Sequence, residues 1–166
     1  MTTMIDVPEA RLREALTASL AVGRWVDDVA ASAPYGSLEA LLAAARAAGT
    51  PLSGAEIDEA LAHHPRIGER PTGDGAAQAF SRREQASADA DDPALARAVA
   101  DGNAAYEERF GRVFLIRAAG RSRAEILAEL RRRLDLDDDT ERRVVGEQLV
   151  EIALLRLAAT FGLGAA

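Results

Sequence analysis

One stretch of the chain, Val113-Phe114-Leu115-Ile116-Arg117-Ala118, has the composition of a β-strand, and no second stretch offers it a partner. A strand without a partner leaves its backbone groups unpaired, so the rest of the chain must bury its apolar surface through helices. Alanine and leucine dominate and aromatic residues are 4% of the chain, which favours helix over sheet. With 166 residues the chain suits one domain with its own core. The expectation is an all-α fold, a single-domain helical bundle over 1–166 with about seven to nine helices.

Punctuation in the sequence places those helices. Pro8 opens the first, which runs through Ala10 to Leu20. A second follows Gly23 from Arg24 to Ala31, with Trp25 and Val29 facing inward. Ser37-Leu38-Glu39 opens a third through Ala48, closed by Gly49-Thr50-Pro51. Ser53-Gly54-Ala55-Glu56 and Ser122-Arg123-Ala124-Glu125 have capping-box spacing, in which serine bonds forward and glutamate bonds back. Asp92-Pro93 starts a long helix to Phe110, with Gly111 at its C-terminal end. The two glycines of Pro71-Thr72-Gly73-Asp74-Gly75 mark a loop with freedom to move.

The only two histidines, His63 and His64, sit where the helix begun at Ser53 must stop. Pro65 pushes His64 toward an extended conformation, and Gly68 supplies a second break. A histidine displayed there can donate or accept a proton near neutral pH, or serve as a hydrogen-bonded structural residue. His63, in the last helical turn, can complement the helix dipole.

The helix after the loop carries Ala77, Ser81, Glu84, Gln85 and Ala88 within one arc, with Arg82 and Arg83 pointing elsewhere. Such a face is either a solvated surface or one wall of a polar site. The run 113–118, if buried, offers backbone groups to a polar ligand or forms a buried turn. In the last helix Val145, Leu149, Ile152 and Arg156 share one stripe. Arg156 then either pairs with Glu147, Glu84 or a ligand carboxylate, or extends to solvent.

All 20 basic residues are arginine and there is no cysteine, so a lysine Schiff base, a thiol nucleophile, a disulfide and a thiolate metal site are excluded. A net charge of −7 argues against nucleic acid as a partner. No apolar run approaches the roughly eighteen residues of a membrane span, and the first residues lack signal-peptide character, so a cytoplasmic protein with no membrane partner is expected.

Four pieces, His64-Pro65-Arg66-Ile67-Gly68, Ser81-x-x-Glu84-Gln85, Asn103-x-x-Tyr106 leading into Phe110-Gly111-x-Val113-Phe114-Leu115-Ile116, and Arg156, resemble in this order the family that decarboxylates 2-oxo-4-hydroxy-4-carboxy-5-ureidoimidazoline, OHCU. The resemblance extends from Trp25 and Pro34-Tyr35-x-Ser37-Leu38 to the last helix. Phe80 and Ala33 stand where tryptophan and arginine are common in the family.

The resemblance implies an all-helical lyase that converts OHCU to (S)-allantoin in urate degradation, a branch of purine metabolism, as a homodimer without metal or organic cofactor. It puts the catalytic histidine on His64 and its carboxylate partner on Glu84. Substrate contacts fall on Pro65, Ser81, Gln85, the main chain of Phe114, Leu115, Ile116, Arg117 and Ala118, and Arg156. Two other readings stay open, a helical protein-interaction module and a decarboxylase of another ureido or imidazoline acid. The module reading requires Ser81, Glu84 and Gln85 to face solvent away from His64, whereas an enzyme needs a shared pocket.

Overall fold

The computed structural model describes residues 4–69 and 75–162. These form eight helices: α1 (Glu9–Ser19), α2 (Gly23–Ala31), α3 (Leu38–Ala48), α4 (Gly54–Leu61), α5 (Ala76–Glu84), α6 (Pro93–Phe110), α7 (Arg123–Arg133) and α8 (Asp138–Gly162). Among the described residues no strand forms; the one strand-type pairing is an isolated bridge between Ile5 and Tyr35. Apart from Gly75, the loop expected over 71–75 lies outside the described residues. The chain groups into two compact units, the described residues up to Ala60 with those from Gly146 onward, and the described residues of Leu61–Val145.

In the first unit, α1 packs on α2 and α2 on α3. Trp25 is fully buried, as its helical position predicts, and its indole N–H donates to the Ala45 carbonyl at 2.9 Å. Ser37 caps α3 by accepting the Ala40 N–H at 3.0 Å. The capping box at the start of α4 is formed, with Glu56 N–H on Ser53 Oγ at 3.1 Å and Ser53 N–H on Glu56 Oε1 at 2.9 Å. Arg24 grips the Glu56 carboxylate with two N–H groups at 2.6 and 3.0 Å, and donates to the Ala48 carbonyl at 2.7 Å. One guanidinium thus joins the first turns of α2 and α4 to the end of α3. The hydrogen bonds from Arg24, and then the Ser53 N–H, hold the Glu56 carboxyl at about 2 against an ordinary 4.5.

The second unit is built on α6 and α7. Asp92 caps α6 by accepting the N–H groups of Ala94 and Leu95 at 2.9 and 3.2 Å, and Gly111 ends it in the left-handed region at φ +71°. Gly102 inside α6 lets α7 approach so closely that an added methyl would meet Leu130. The Ser122–Glu125 capping box begins α7 as expected.

Residues 113–118 are neither strand nor helix, and Phe114, Leu115, Ile116 and Ala118 are buried. A buried ion pair holds them. Arg133 and Glu141, 1% and 0% exposed, meet through Nη2 and Oε1, with Nε also on both carboxylate oxygens at 3.0 and 3.1 Å. Arg133 Nη1 donates to the Leu115 carbonyl at 2.7 Å, and the guanidinium lies 4.6 Å from the Phe114 ring centre. Tyr106 completes the group, donating its hydroxyl to Glu141 at 2.6 Å while its ring meets Phe114 edge-on at 5.2 Å. Burial, and then the bond to Glu141, raises the Tyr106 phenol, which therefore stays a donor.

Two helix ends differ from the sequence reading. α4 stops at Leu61 rather than at His63, because the His64 N–H turns back to the Leu61 carbonyl at 3.2 Å. α5 stops at Glu84 rather than running on to Ala88, with Gln85 as its C-terminal cap.

Removing either member of the Arg133–Glu141 pair strands the other in the core. Arg133→Met and Glu141→Gln should each lose about 3–5 kcal/mol in urea unfolding, and the double variant less than the sum. The Arg24–Glu56 contact has an acid signature. A carboxyl depressed on folding contributes stability above its ordinary value of 4.5 that is lost as the pH falls toward 2. Glu56→Gln should flatten that part of the stability–pH curve between about pH 4.5 and 2, and leave its shape above pH 6 unchanged.

Candidate active site

His64 lies just past the turn that ends α4, and it is half-buried while His63 is exposed. What fixes the segment is its far end. The peptide unit joining Ile67 to Gly68 is held from both edges: Asn103 Nδ2 on α6 donates to the Ile67 carbonyl at 3.0 Å, and the Gly68 N–H donates to Gln85 Oε1 at 2.9 Å. Gly68 takes φ +96°, a conformation that glycine adopts without strain. Arg66 adds ion pairs to Glu107 at 2.6 Å and Glu69 at 3.1 Å, and the Ile67 side chain enters the core. Five residues after the helix end are thereby fixed without regular structure.

The polar face of α5 is not a solvated one. Ser81 is buried at 6% exposure, Glu84 and Gln85 are half-buried, and Arg82 and Arg83 are the residues that face water. Gln85 is tied at both ends, its side chain to Gly68 and its carbonyl to Arg123 Nη2 at 3.2 Å. Ile67, Phe114, Ile116 and Ala118 belong to one apolar cluster. Within the second unit, therefore, the His64–Gly68 segment is bonded to the end of α5 and shares a core with 114–118. This argues against the interaction-module reading, which requires Gln85 to face away from the histidine segment.

Arg156 belongs to the other compact unit. It is 4% exposed and donates through Nη1 to the Ala18 carbonyl at 2.9 Å. Extension to solvent is thereby excluded. Glu147, one partner considered for it, is exposed.

Sequence reasoning assigned no role to Asn103, although it stands in the Asn103-x-x-Tyr106 piece. The signal was a lone amide in a helix otherwise patterned for a core face. It also missed Arg133 and Glu141, since one ends an arginine run and the other follows an acidic turn, so neither stands out from its charged neighbours.

Chemically, a half-buried imidazole four residues before a glycine bonded to the end of α5, and a helix that carries a buried hydroxyl, a carboxylate and an amide, are residue types suited to proton transfer to a small polar molecule. Among the described residues no group of three or more His, Cys, Asp or Glu is arranged to hold a metal ion.

The OHCU decarboxylase family model matches residues 6–158. The chain is 34% identical over 142 residues to the 2-oxo-4-hydroxy-4-carboxy-5-ureidoimidazoline decarboxylase of Haloferax volcanii, covering 82% of this chain and 81% of that one. It is 33% identical over 107 residues to the uric acid degradation bifunctional protein TTL of Arabidopsis thaliana, covering 62% of this chain and spanning 33% of that longer protein. Its fold is similar to the crystal structure of an OHCU decarboxylase in the presence of (S)-allantoin, with a TM-score of 0.76 at 24% identity over 90% of this chain and 98% of that one.

The clamp on the Ile67–Gly68 peptide makes local order at the histidine segment depend on a side chain two elements away. Gln85→Ala removes one hydrogen bond of about 1 kcal/mol, so amide exchange at Gly68 should quicken about fivefold. Exchange measured by NMR should change little in α3, which lies in the other unit.

Proposed function

The chain belongs to the OHCU decarboxylase family, and from that premise we propose that it decarboxylates OHCU to (S)-allantoin, the last step of urate degradation, with no metal or organic cofactor. The observation that supports this reading is the hydrogen bond from the Gly68 N–H to Gln85, which ties the segment carrying His64 to the end of α5, the helix on which Ser81 and Glu84 stand.

The substrate is its own electron sink. When the bond to the carboxylate carbon breaks, the electron pair moves toward the neighbouring ring imine and CO2 leaves; the imine nitrogen takes up a proton as the hydroxyl gives one up to become a carbonyl, so these two exchanges cancel. One proton must then reach the ureido-bearing carbon from a single face to set the configuration. A chain without lysine can catalyse this by orienting the carboxylate, supplying hydrogen bonds and delivering that proton. In the proposed assignment His64 is the proton donor and Glu84 favours and orients its imidazolium form. Ser81, Gln85 and the main chain of Phe114–Ala118 bond the polar substrate groups, Pro65 lines the site, and Arg156 receives the substrate carboxylate. The Leu115 carbonyl is already occupied by Arg133, so that residue would offer its N–H.

The match to residues 6–158 supports treating the whole chain as one catalytic domain. No helix among the described residues is long and apolar enough to cross a membrane. A cytoplasmic homodimer acting on a small molecule, with no nucleic acid or membrane partner, completes the reading.

His64→Asn should lower turnover of freshly generated OHCU by about 10²–10⁴ while the protein stays folded. Glu84→Gln should act on the same step, so the double variant should cost far less than the product of the two losses. His63→Asn, at an exposed position, should be nearly silent. Circular dichroism of the allantoin formed reads both rate and handedness. Near-normal chiral product from His64→Asn would refute the assignment.

A further inference from the structure

The piece Asn103-x-x-Tyr106 has no part in the chemistry assigned to His64 and the end of α5, yet it supplies two of the three side chains that α6 buries. Three residues apart, the two lie on one face of the helix, about 4.5 Å from each other along its axis at 1.5 Å per residue. Both are polar and buried, at 7% and 0% exposure. Each ends on one of the two irregular segments of the second unit.

Asn103 donates from Nδ2 to the Ile67 carbonyl at 3.0 Å. A carbonyl oxygen only accepts, so the amide must turn its N–H toward Ile67. Ile67 comes three residues after His64, whose own N–H is tied back to the Leu61 carbonyl at 3.2 Å. Between those anchors Pro65 has its φ locked at about −65° by the ring, which leaves the segment little slack. A shift of Ile67 therefore passes to His64. Tyr106 holds the other segment. Its hydroxyl donates to Glu141 at 2.6 Å, Glu141 grips Arg133, and Arg133 donates to the Leu115 carbonyl at 2.7 Å. Its ring also meets Phe114 edge-on, in the core cluster that contains Ile67, Phe114 and Ile116.

We propose that Asn103 and Tyr106 are positioning residues for the reaction assigned to this chain: from one face of α6 they hold the His64 segment and the main chain 114–118 at a fixed separation. This inference rests on the function proposed above. Neither irregular segment has a ladder of its own to set that separation, whereas one turn of a helix is rigid. Proton delivery needs the donor and the substrate contacts in register, because a misplacement of about 1 Å can cost about a hundredfold in rate. Asn103 acts through His64, and so on turnover. Tyr106 acts through the main chain that binds substrate, and so on affinity.

The His64 ring and the kinetics are read separately, in the full-length protein. With only two histidines in the chain, His63→Asn leaves His64 as the one imidazole in the NMR spectrum. On that background Asn103→Leu should move the His64 ring C–H signals and lower kcat per folded molecule about ten- to a hundredfold, with KM within about twofold of the parent. Asn103→Ala takes its place if the leucine variant does not fold. Tyr106→Phe, which removes one hydrogen bond, should raise KM about three- to tenfold and leave the His64 signals where they are. Ile126→Ala, in the same core cluster and 2% exposed, is the control for lost stability and should change neither reading. Unmoved His64 signals or an unchanged kcat in the Asn103 variant overturn the role of Asn103, as does equal movement in Ile126→Ala. An unchanged KM in Tyr106→Phe overturns the role of Tyr106. A parent that does not turn over OHCU refutes the proposed function and the role of Tyr106 with it, while the His64 signals still decide whether Asn103 positions the ring.

Discussion

The ion pair between Arg133 and Glu141 is the contact on which the second unit depends. Two charges removed from water are costly unless each remaining polar atom is also satisfied. Here the carboxylate takes the guanidinium and the Tyr106 hydroxyl, and the guanidinium takes the Leu115 carbonyl and covers the Phe114 ring. The group links the end of α7, the start of α8, the C-terminal part of α6 and the irregular run 113–118. That run has no partner strand, so a side chain supplies what a neighbouring strand would otherwise give.

The same device recurs at the histidine segment. Residues 64–68 belong to no regular element, and side-chain amides from α5 and α6 hold the Ile67–Gly68 peptide at both its carbonyl and its N–H. Both irregular segments, 64–68 and 113–118, are thus fixed by side chains, which is the condition under which backbone can hold a small molecule with little ordering cost. The arrangement also means that Gln85 and Asn103 act on His64 through the chain that carries it.

Much of this molecule was legible in the sequence because helix boundaries are written locally. The serine and glutamate of each capping box, Pro93 after Asp92 and the glycine at 111 act on their own neighbours in the chain, so Ser53, Asp92, Gly111 and Ser122 took the roles their spacing predicts. Trp25 and Val29 are buried because a helical repeat alone puts them on one face. The turn after α4 was readable from Pro65 and Gly68, although its position shifted by two residues from His63 to Leu61.

What the sequence could not decide was which charges leave water. Arg131, Arg132 and Arg133 are consecutive and chemically identical, yet the first two are exposed and the third is 1% exposed against a carboxylate eight positions on. Glu141 likewise follows an acidic turn in which Asp137, Asp138 and Asp139 stay exposed. Composition and periodicity give such residues the same weight, because desolvation depends on what other elements bring to the same point. The clamp on Ile67–Gly68 has the same origin. Local sequence determined the helices, their caps and the place of the histidines; tertiary packing alone decided which of these buried polar groups found partners, because the partners come from other elements 8 to 38 residues away and only the fold sets their distance.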